Sequence, residues 1–290
     1  MTLSLASNIP ALQAAGQLRR ATDELSETFE RLSSGVRINS AADDPAGLAL
    51  ADSLRADTKI ATVAARNAND GISLLSIADA GLEEINHILT RMYELATQSS
   101  NGVYTNTQRS ALSSEFLALG SEIERISKTT TFNDLNLLSN SNNVTLQVGF
   151  DSSSNSQITI TAVLGTLSSL NLAASGSGKL TFSIIDTSTA GAQAAATTAM
   201  SAINNALGSL TSVRGTLGAA ESRLNSAVNF LTVARENLAA AESRIRDIDV
   251  AEETAKLVAQ QVRQQAASAV LAQANLQPAM VLSLLKGSLG

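Results

Sequence analysis

The stretch LGAAESRLNSAVNFLTVARENLAAAESRIRDIDVAEETAKLVAQQVRQQAASAVLAQANL, Leu217 to Leu276, decides the fold because apolar residues recur in it every seven positions. The first positions of successive heptads are Leu217, Leu224, Leu231, Leu238, Ile245, Glu252, Ala259, Ala266 and Gln273; the fourth positions are Ala220, Ala227, Ala234, Ala241, Ile248, Ala255, Val262, Ala269 and Leu276. Such a narrow stripe stays aligned only when helices wind around each other. Because no proline interrupts it, we predict one continuous helix of about 90 Å.

A second heptad pattern supplies the natural partner for that helix. It begins where Asp44 precedes Pro45, since a carboxylate can accept a hydrogen bond from the first-turn amides and proline is tolerated there. The pattern runs to about Ala96 through Leu54, Ala61, Ala68, Leu75, Leu82, Leu89 and Ala96, with Ala64, Gly71, Ala78, Ile85 and Met92 between them. Both stripes are rich in Leu and Ala, so we expect the two helices to pack antiparallel.

Two shorter helices and a small β element complete the prediction. Residues 1–35 are amphipathic, with Leu5, Ile9, Leu12, Leu18, Ala21, Leu25, Phe29 and Leu32 at spacings of three, four or more, and Gly35 is a stop signal. A further amphipathic helix is predicted over 106–127. Alternating apolar residues over 144–150 and 158–160 predict a β-hairpin, and the run 180–185 predicts another strand.

The order of these elements is nearly palindromic, with helices at both ends and the irregular part in the middle. Folding the chain back at the insert brings both termini to one end. We therefore predict a mainly α protein, a long antiparallel coiled-coil helix bundle with a small β-hairpin insert at about residues 144–185.

Composition favours rods over a globule and excludes several kinds of partner. Only 3% of the 290 residues are aromatic, whereas Ala and Leu at heptad spacing suit closely approaching helices. A net charge of −6 argues against nucleic acid as a partner. The absence of cysteine excludes disulfides and thiolate chemistry. No cleavable signal is evident near the first residue, and no apolar run is long enough to span a membrane.

The polar residues give no sign of catalysis, a cofactor or a bound metal. Asp43, Asp44 and Asp52 could be taken for carboxylate ligands, but helix capping and solvation explain them more simply. His87 is the only histidine and has no catalytic partner nearby in the sequence. Neither a nucleophile-elbow motif nor a phosphate-binding glycine motif is present. We therefore predict a protein that is not an enzyme.

Several motifs resemble those of one family, the bacterial flagellins. RLSSGVRINSAADDPAGL, residues 31–48, is similar to the family's N-terminal signature. Other similar segments are ANDGIS (68–73), ELATQS (94–99), TTFN (130–133), VLAQAN (270–275) and VLSLL (281–285). The resemblance covers about residues 1–150 and 200–286. Asp134 departs from the family, which usually has Gly there.

The resemblance implies a subunit that polymerises into the helical flagellar filament, the propeller for swimming. Residues 1–44 and 247–290 would form the inner terminal coiled-coil domain, and residues 45–246 the outer helical rod domain. The short insert leads us to expect a thin, smooth filament. The residues expected in polymerisation and core packing are Leu5, Ile9, Leu12, Leu18, Leu25, Leu32, Leu54, Leu75, Leu82, Leu224, Leu231, Leu238, Ile245, Val262 and Leu276.

The same resemblance implies partners besides identical copies. A flagellar export chaperone would dock on the C-terminal helix at Val258, Val262, Val270, Leu276 and Leu284. A host Toll-like receptor that senses flagellin would contact Arg91, Leu95 and Glu115, although Tyr93 replaces a usual Arg. Filament cap and hook-junction proteins would meet the assembled polymer. The chain would be extracellular, exported by the flagellar secretion apparatus without a cleaved signal peptide.

Three alternative functions remain open at this point. A hook-filament junction protein has similar ends but would not form long filaments. An intracellular coiled-coil adaptor would form closed oligomers. An enzyme would need a pocket with a bound ligand, which a chain with one His and no Cys makes less expected.

Overall fold

Helices form most of the molecule in the computed structural model, which describes residues 8–287 and the side chains of residues 8–279. The helices are α1 (Ile9–Ser34), α2 (Pro45–Ser100), α3 (Asn106–Thr129), α4 (Thr189–Arg246) and α5 (Val250–Gly287). The mainly α prediction is confirmed. Within the described range, no helix has the length and apolarity needed to cross a membrane.

The helix boundaries follow from local capping chemistry. The Asp44 carboxylate accepts hydrogen bonds from the amides of Ala46 (3.1 Å) and Gly47 (2.9 Å), which confirms the predicted start of α2. Gly35 ends α1 with a φ of +74°, a left-handed conformation that glycine adopts without strain. Thr105 and Gln108 form a reciprocal capping box at the start of α3.

The predicted continuous helix from Leu217 to Leu276 is wrong, because the chain leaves helical geometry between Arg246 and Val250. Asp249 starts a new helix there: its Oδ1 accepts hydrogen bonds from the amides of Ala251 (2.9 Å) and Glu252 (3.2 Å). The interruption pairs with the connector after α1. Val36 and Asp247 form an antiparallel bridge, and the Arg37 amide donates to the Arg246 carbonyl at 2.5 Å.

The chain divides into two compact units, and each is described separately. The terminal unit contains residues up to 56 and from 237 onward, and the central unit contains residues 57–236. This division cuts through α2 and α4, whereas the predicted domain boundaries at residues 44 and 247 coincide with breaks between helices.

Within the central unit, α2 and α4 run antiparallel, as predicted. Arg214 of α4 pairs with Asp79 of α2 at 2.7 Å, while further along Leu231 packs with Ala61 and Ala64. The predicted α2 stripe is buried from Ala61 to Ala96. From Ala68 onward its apolar residues form a continuous core with α3, α4 and the loop segments between α3 and α4.

Two small antiparallel ribbons lie in the central unit after α3. The first pairs β1 (Thr131–Phe132) with β2 (Leu135–Asn136) and was not predicted; the second pairs β3 (Val144–Gln147) with β4 (Gln157–Ile160) and confirms the predicted hairpin. Asp134 lies in the turn of the first ribbon with a φ of +61°, which explains why glycine suits that position.

The predicted strand over residues 180–185 is wrong. Only one isolated bridge forms there, between Ala173 and Leu180. The buried Ile184 joins the core, and its carbonyl accepts a hydrogen bond from Ser99 Oγ at 2.7 Å. This apolar run therefore packs against helices instead of pairing with another strand.

Candidate assembly surface

Helices α1 and α5 form an antiparallel pair in the terminal unit. At one end, Asn8 Nδ2 donates to the Ala274 carbonyl at 2.9 Å, and at the other the Ile248 amide donates to the Gly35 carbonyl at 3.3 Å. Between them, Gln264 Nε2 donates to Thr22 Oγ1 at 3.1 Å. The pairing matches the antiparallel arrangement expected of the two ends of the chain.

The line of contact between α1 and α5 is narrow and built from small or polar residues. Side chains with reduced exposure recur at alternating steps of three and four: Ala11, Ala14, Leu18, Ala21, Leu25, Thr28 and Leu32 on α1, and Glu253, Leu257, Gln260, Gln264, Ala267, Leu271 and Ala274 on α5. We call these residues the terminal seam. Because it contains only five leucines, it buries little apolar surface.

The predicted heptad register is wrong in α5. The predicted positions Glu252, Ala255, Ala259, Val262, Ala266, Ala269, Gln273 and Leu276 are exposed, and the terminal seam uses other residues. The interruption at residues 247–249 resets the phase of the repeat. A sequence signal for it existed: Asp249 and Glu252 have the spacing of a capping box before an apolar run.

The terminal seam also contains polar atoms that lack partners. Glu253 is buried, and only one of its carboxylate oxygens is paired, with Lys256 Nζ at 3.3 Å. The hydrogen bonds that Lys256 donates to the carboxylates of Glu252 and Glu253 raise its pKa. Glu253 Oε1 and Gln260 Oε1 are buried without any hydrogen-bond partner. Each such atom destabilises the isolated pair.

Large apolar side chains of both helices are exposed outside the terminal seam. They are Ile9, Leu12 and Phe29 on α1 and Val250, Val258, Val262, Val270 and Leu276 on α5, and each is more than half exposed. We call this set the terminal apolar face. Val262 lies nine residues before Leu271 of the seam, and at 100° per residue this places the two on opposite sides of α5.

The other residues expected in polymerisation and packing occupy different environments. Leu18, Leu25 and Leu32 belong to the terminal seam, and Leu54, Leu238 and Ile245 are half-buried in the terminal unit. Leu75, Leu82, Leu224 and Leu231 are buried in the central unit and are not available to another chain. Leu5 and the side chain of Leu284 lie outside the described residues.

The three residues expected to contact a host receptor differ in accessibility. Arg91 of α2 and Glu115 of α3 are exposed and form an ion pair at 2.9 Å, and Arg91 also pairs with Glu94 at 3.0 Å. The hydrogen bonds that Arg91 donates to the carboxylates of Glu94 and Glu115 raise its pKa. Leu95, by contrast, is only 1% exposed. The structure thus presents two of the three side chains at the surface.

The carboxylates weighed as metal ligands have other roles. Asp43 Oδ2 accepts hydrogen bonds from the amides of Asn39 and Ser40, which lower the pKa of its carboxyl. Asp44 caps α2, and Asp52 lies 3.7 Å from Arg246. His87 is exposed on α2. Between residues 8 and 287 no cluster of three or more His, Cys, Asp or Glu could hold a metal ion.

Comparison with known proteins identifies the family. Residues 5–143 match the bacterial flagellin N-terminal helical region, and residues 200–285 match the bacterial flagellin C-terminal helical region. A flagellin of Halalkalibacterium halodurans is 40% identical over 96% of this chain and 98% of its own length. The chain belongs to the bacterial flagellin family. It is a filament subunit, and flagellin is a structural protein rather than an enzyme.

Other flagellin relatives vary in length. The flagellar filament 33 kDa core protein of Treponema phagedenis is 34% identical over 96% of this chain and 98% of its own. Flagellin A of Vibrio cholerae is 44% identical over 52% of this chain but only 40% of its own length. A putative flagellar hook-associated protein of Vibrio parahaemolyticus covers 71% of this chain with a TM-score of 0.57 and 16% identity, which shows a shared fold only.

Proposed function

We propose that this flagellin polymerises into the flagellar filament by burying its terminal apolar face against neighbouring copies. One observation carries the proposal: α1 and α5 expose eight large apolar side chains while their own contact is narrow and partly unsatisfied. So many exposed large apolar side chains on two paired helices favour an interaction surface.

The energetics favour an open polymer. Burying a valine or leucine side chain contributes about 1.5–3 kcal/mol, so several such contacts stabilise a subunit at the filament end. In the polymer, α1 and α5 would then bury the apolar side chains that the isolated terminal unit leaves exposed. A head-to-tail contact whose rotation does not close produces a helical filament.

Substitution of an outward-facing valine tests the proposal. Val262→Asp places a charge on the terminal apolar face, and we expect it to raise the critical concentration for seeded filament growth by roughly tenfold or more. Val262→Ile keeps a branched apolar side chain at an open position and is the matched control. Circular dichroism checks that both variants fold. Normal growth of the Asp variant onto seeds would contradict the proposed contact.

The hook-filament junction alternative has less support. The relatives that cover nearly the whole chain carry the names of flagellin and of a filament core protein, whereas the hook-associated protein shares only the fold. Purified chains that assemble into long filaments would favour the filament role; short capped oligomers would favour the junction role.

An export chaperone is proposed to cover part of the same face before secretion. Val258, Val262, Val270 and Leu276 are exposed on one helix, as a docking site for a soluble partner requires. Removing residues 250–290 should abolish chaperone pull-down, and Val258→Asp with Val270→Asp should weaken it in the full-length chain. Unchanged capture of both variants would reject this site.

Recognition by a host Toll-like receptor is proposed at the exposed Arg91 and Glu115, with Leu95 supporting the helix from within the core. Arg91→Ala should reduce the response of receptor-expressing reporter cells to monomeric protein, whereas the neighbouring surface variant Thr90→Ala should not. No response to the unaltered monomer would remove the receptor from the list of partners.

Export and further assembly partners complete the proposal. The chain would leave the cell through the flagellar secretion apparatus with an intact N-terminus, and the inner and outer domains would be divided near residues 44 and 247. Cap and hook-junction proteins would contact the two ends of the filament. Loss of secretion in cells without that apparatus, with no N-terminal cleavage in secreted protein, is the expected result.

A further inference from the structure

The turn between α2 and α3 contains a reactive dipeptide, Asn101–Gly102, which is the only Asn-Gly pair in the sequence. Both residues are exposed. Glycine has no Cβ and leaves its own backbone nitrogen open to approach from the preceding side chain. Asparagine before glycine is therefore the pair best suited to cyclisation.

The hydrogen bonding of the turn leaves both reacting groups available. Asn101 Oδ1 accepts a hydrogen bond from the Val103 amide at 3.2 Å, which draws electrons from Cγ and makes it a better electrophile. Among residues 8–287, the Gly102 N–H has no hydrogen-bond acceptor, so its nitrogen is free to attack.

A buried guanidinium contacts the same residue from the other side. Arg109 is fully buried and donates from Nη2 to the Asn101 carbonyl at 2.8 Å and from Nε to the Tyr104 carbonyl at 3.2 Å; Nη1 contacts the Ser99 carbonyl. All of these acceptors are neutral, and the described part of the chain gives Arg109 no carboxylate partner. A new negative charge at the Asn101 main-chain carbonyl would meet an unpaired cation.

We propose that Asn101–Gly102 is a self-modification site at which Arg109 directs the product. The Gly102 nitrogen bonds to Asn101 Cγ, the Cγ–Nδ2 bond breaks, and Nδ2 leaves as ammonia with the proton from Gly102. Water then opens the cyclic imide. Attack at Cγ gives aspartate, whereas attack at the former main-chain carbonyl carbon gives isoaspartate.

Arg109 favours the second opening. It polarises the main-chain carbonyl that water must attack, and the carboxylate formed there lies on the carbon whose oxygen Arg109 already contacts. The buried guanidinium thereby gains its missing counterion. The folded chain should yield a larger share of isoaspartate than the same chain unfolded.

Other asparagines in the chain serve as internal controls. Asn140 precedes Ser141 and has the same polarised geometry, because its Oδ1 accepts from the Asn142 amide at 3.0 Å. The Ser141 side chain hinders attack there. Asn155 precedes Ser156, whose amide is held by the Ser153 carbonyl at 3.0 Å, and Asn225 lies inside α4.

The experiment is mildly alkaline incubation of full-length monomer, followed by peptide mapping that resolves asparagine, aspartate and isoaspartate. We expect conversion at Asn101 to exceed that at Asn140 by roughly tenfold, with Asn225 unchanged. Gly102→Ala should lower it to the Asn140 level, because the added Cβ would meet only the flexible end of Gln193 at 2.9 Å. Equal conversion at Asn101 and Asn225, or no effect of Gly102→Ala, would overturn the site.

The role of Arg109 has a separate readout. The isoaspartate share formed at residue 101 is compared between folded chain and chain incubated in urea at the same pH. A higher share in the folded chain supports direction by Arg109. An equal or lower share rejects it, whatever the overall rate.

Discussion

At the scale of single residues, Arg109 shows how one buried cation can define a turn. Its guanidinium donates to the carbonyl of Ser99 at the end of α2 and to those of Asn101 and Tyr104 in the turn that follows. The side chain therefore acts as a C-terminal cap delivered from the next helix. The sequence offered no sign of this, because Arg109 lies among polar residues of α3 and looks like an ordinary surface charge.

Truncating Arg109 should be far more damaging than truncating an exposed arginine on the same helix. Arg109→Ala removes the donor from three carbonyls and leaves a cavity in the core. We therefore expect the central unit to lose about 2–4 kcal/mol of unfolding free energy. Arg125→Ala removes only an exposed pair with Glu122, and its cost should stay within about 0.5 kcal/mol. Urea unfolding followed by circular dichroism compares the two. Equal effects would show that the Arg109 contacts contribute little.

The pair between Arg214 and Asp79 makes a pH-dependent contribution. The hydrogen bond from Arg214 lowers the pKa of Asp79 below its ordinary 3.8, so the pair stabilises the folded state above that value and is lost as pH falls through the lower folded pKa. Asp79→Asn should therefore shift the urea midpoint downward near neutral pH. The shift should vanish in strong acid. A shift of equal size at both pH values would point to packing instead of charge.

At the scale of elements, the heptad patterns correctly predicted the buried residues wherever a helix continued without interruption. The heptad residues of α2 from Ala61 to Ala96 are buried as predicted, and so are Leu217, Leu224 and Leu231 in α4. The register failed in α5, because three residues at 247–249 reset the phase and apolar spacing cannot reveal such a shift. The segment 180–185 failed for a related reason: a short apolar run packs equally well against helices.

The corrected register gives opposite expectations for two neighbouring residues of α5. Leu271 belongs to the terminal seam, so Leu271→Ala should weaken the monomer, lowering its thermal midpoint and helicity with a cost of about 1–2 kcal/mol. Val270 is 59% exposed. Val270→Ala should leave the monomer unchanged and instead raise the critical concentration for filament growth. The reverse pattern in these two measurements would restore the original register.

At the scale of the whole molecule, the two units differ in how well they satisfy their own contacts. The central unit has a large core that includes Phe116, Ile123 and Leu138. The terminal unit relies on alanines and half-buried leucines. Every buried side-chain polar atom without a hydrogen-bond partner in the described range belongs to it, in Arg31, Arg246, Glu253 and Gln260. The alanine-rich sequence of the terminal helices predicts their low stability. The unpaired polar atoms, in contrast, could be identified only from the positions of the side chains.

Hydrogen exchange should expose this difference directly. In the monomer, amides of α1 and α5 should exchange much faster than those of the α2 segment from residue 61 to 96, because local opening is easier where less apolar surface is buried. Polymerisation should slow exchange in α1 and α5 and leave the α2 segment nearly unchanged. Mass spectrometry of monomer and filament provides the comparison. Strong protection of the terminal helices already in the monomer would contradict it.

The paired interruptions at residues 35–44 and 247–249 have a consequence for how such chains can change. These two non-helical segments separate α1 from α2 and α4 from α5, and the bridge between Val36 and Asp247 holds the segments together. The heptad repeat of α1 and α5 therefore need not continue the phase of the repeat in α2 and α4. Lengthening α1 and α5 by one heptad each would then leave α2 and α4 in register with each other. We therefore expect that end segments of different length could be exchanged between related proteins at these two interruptions.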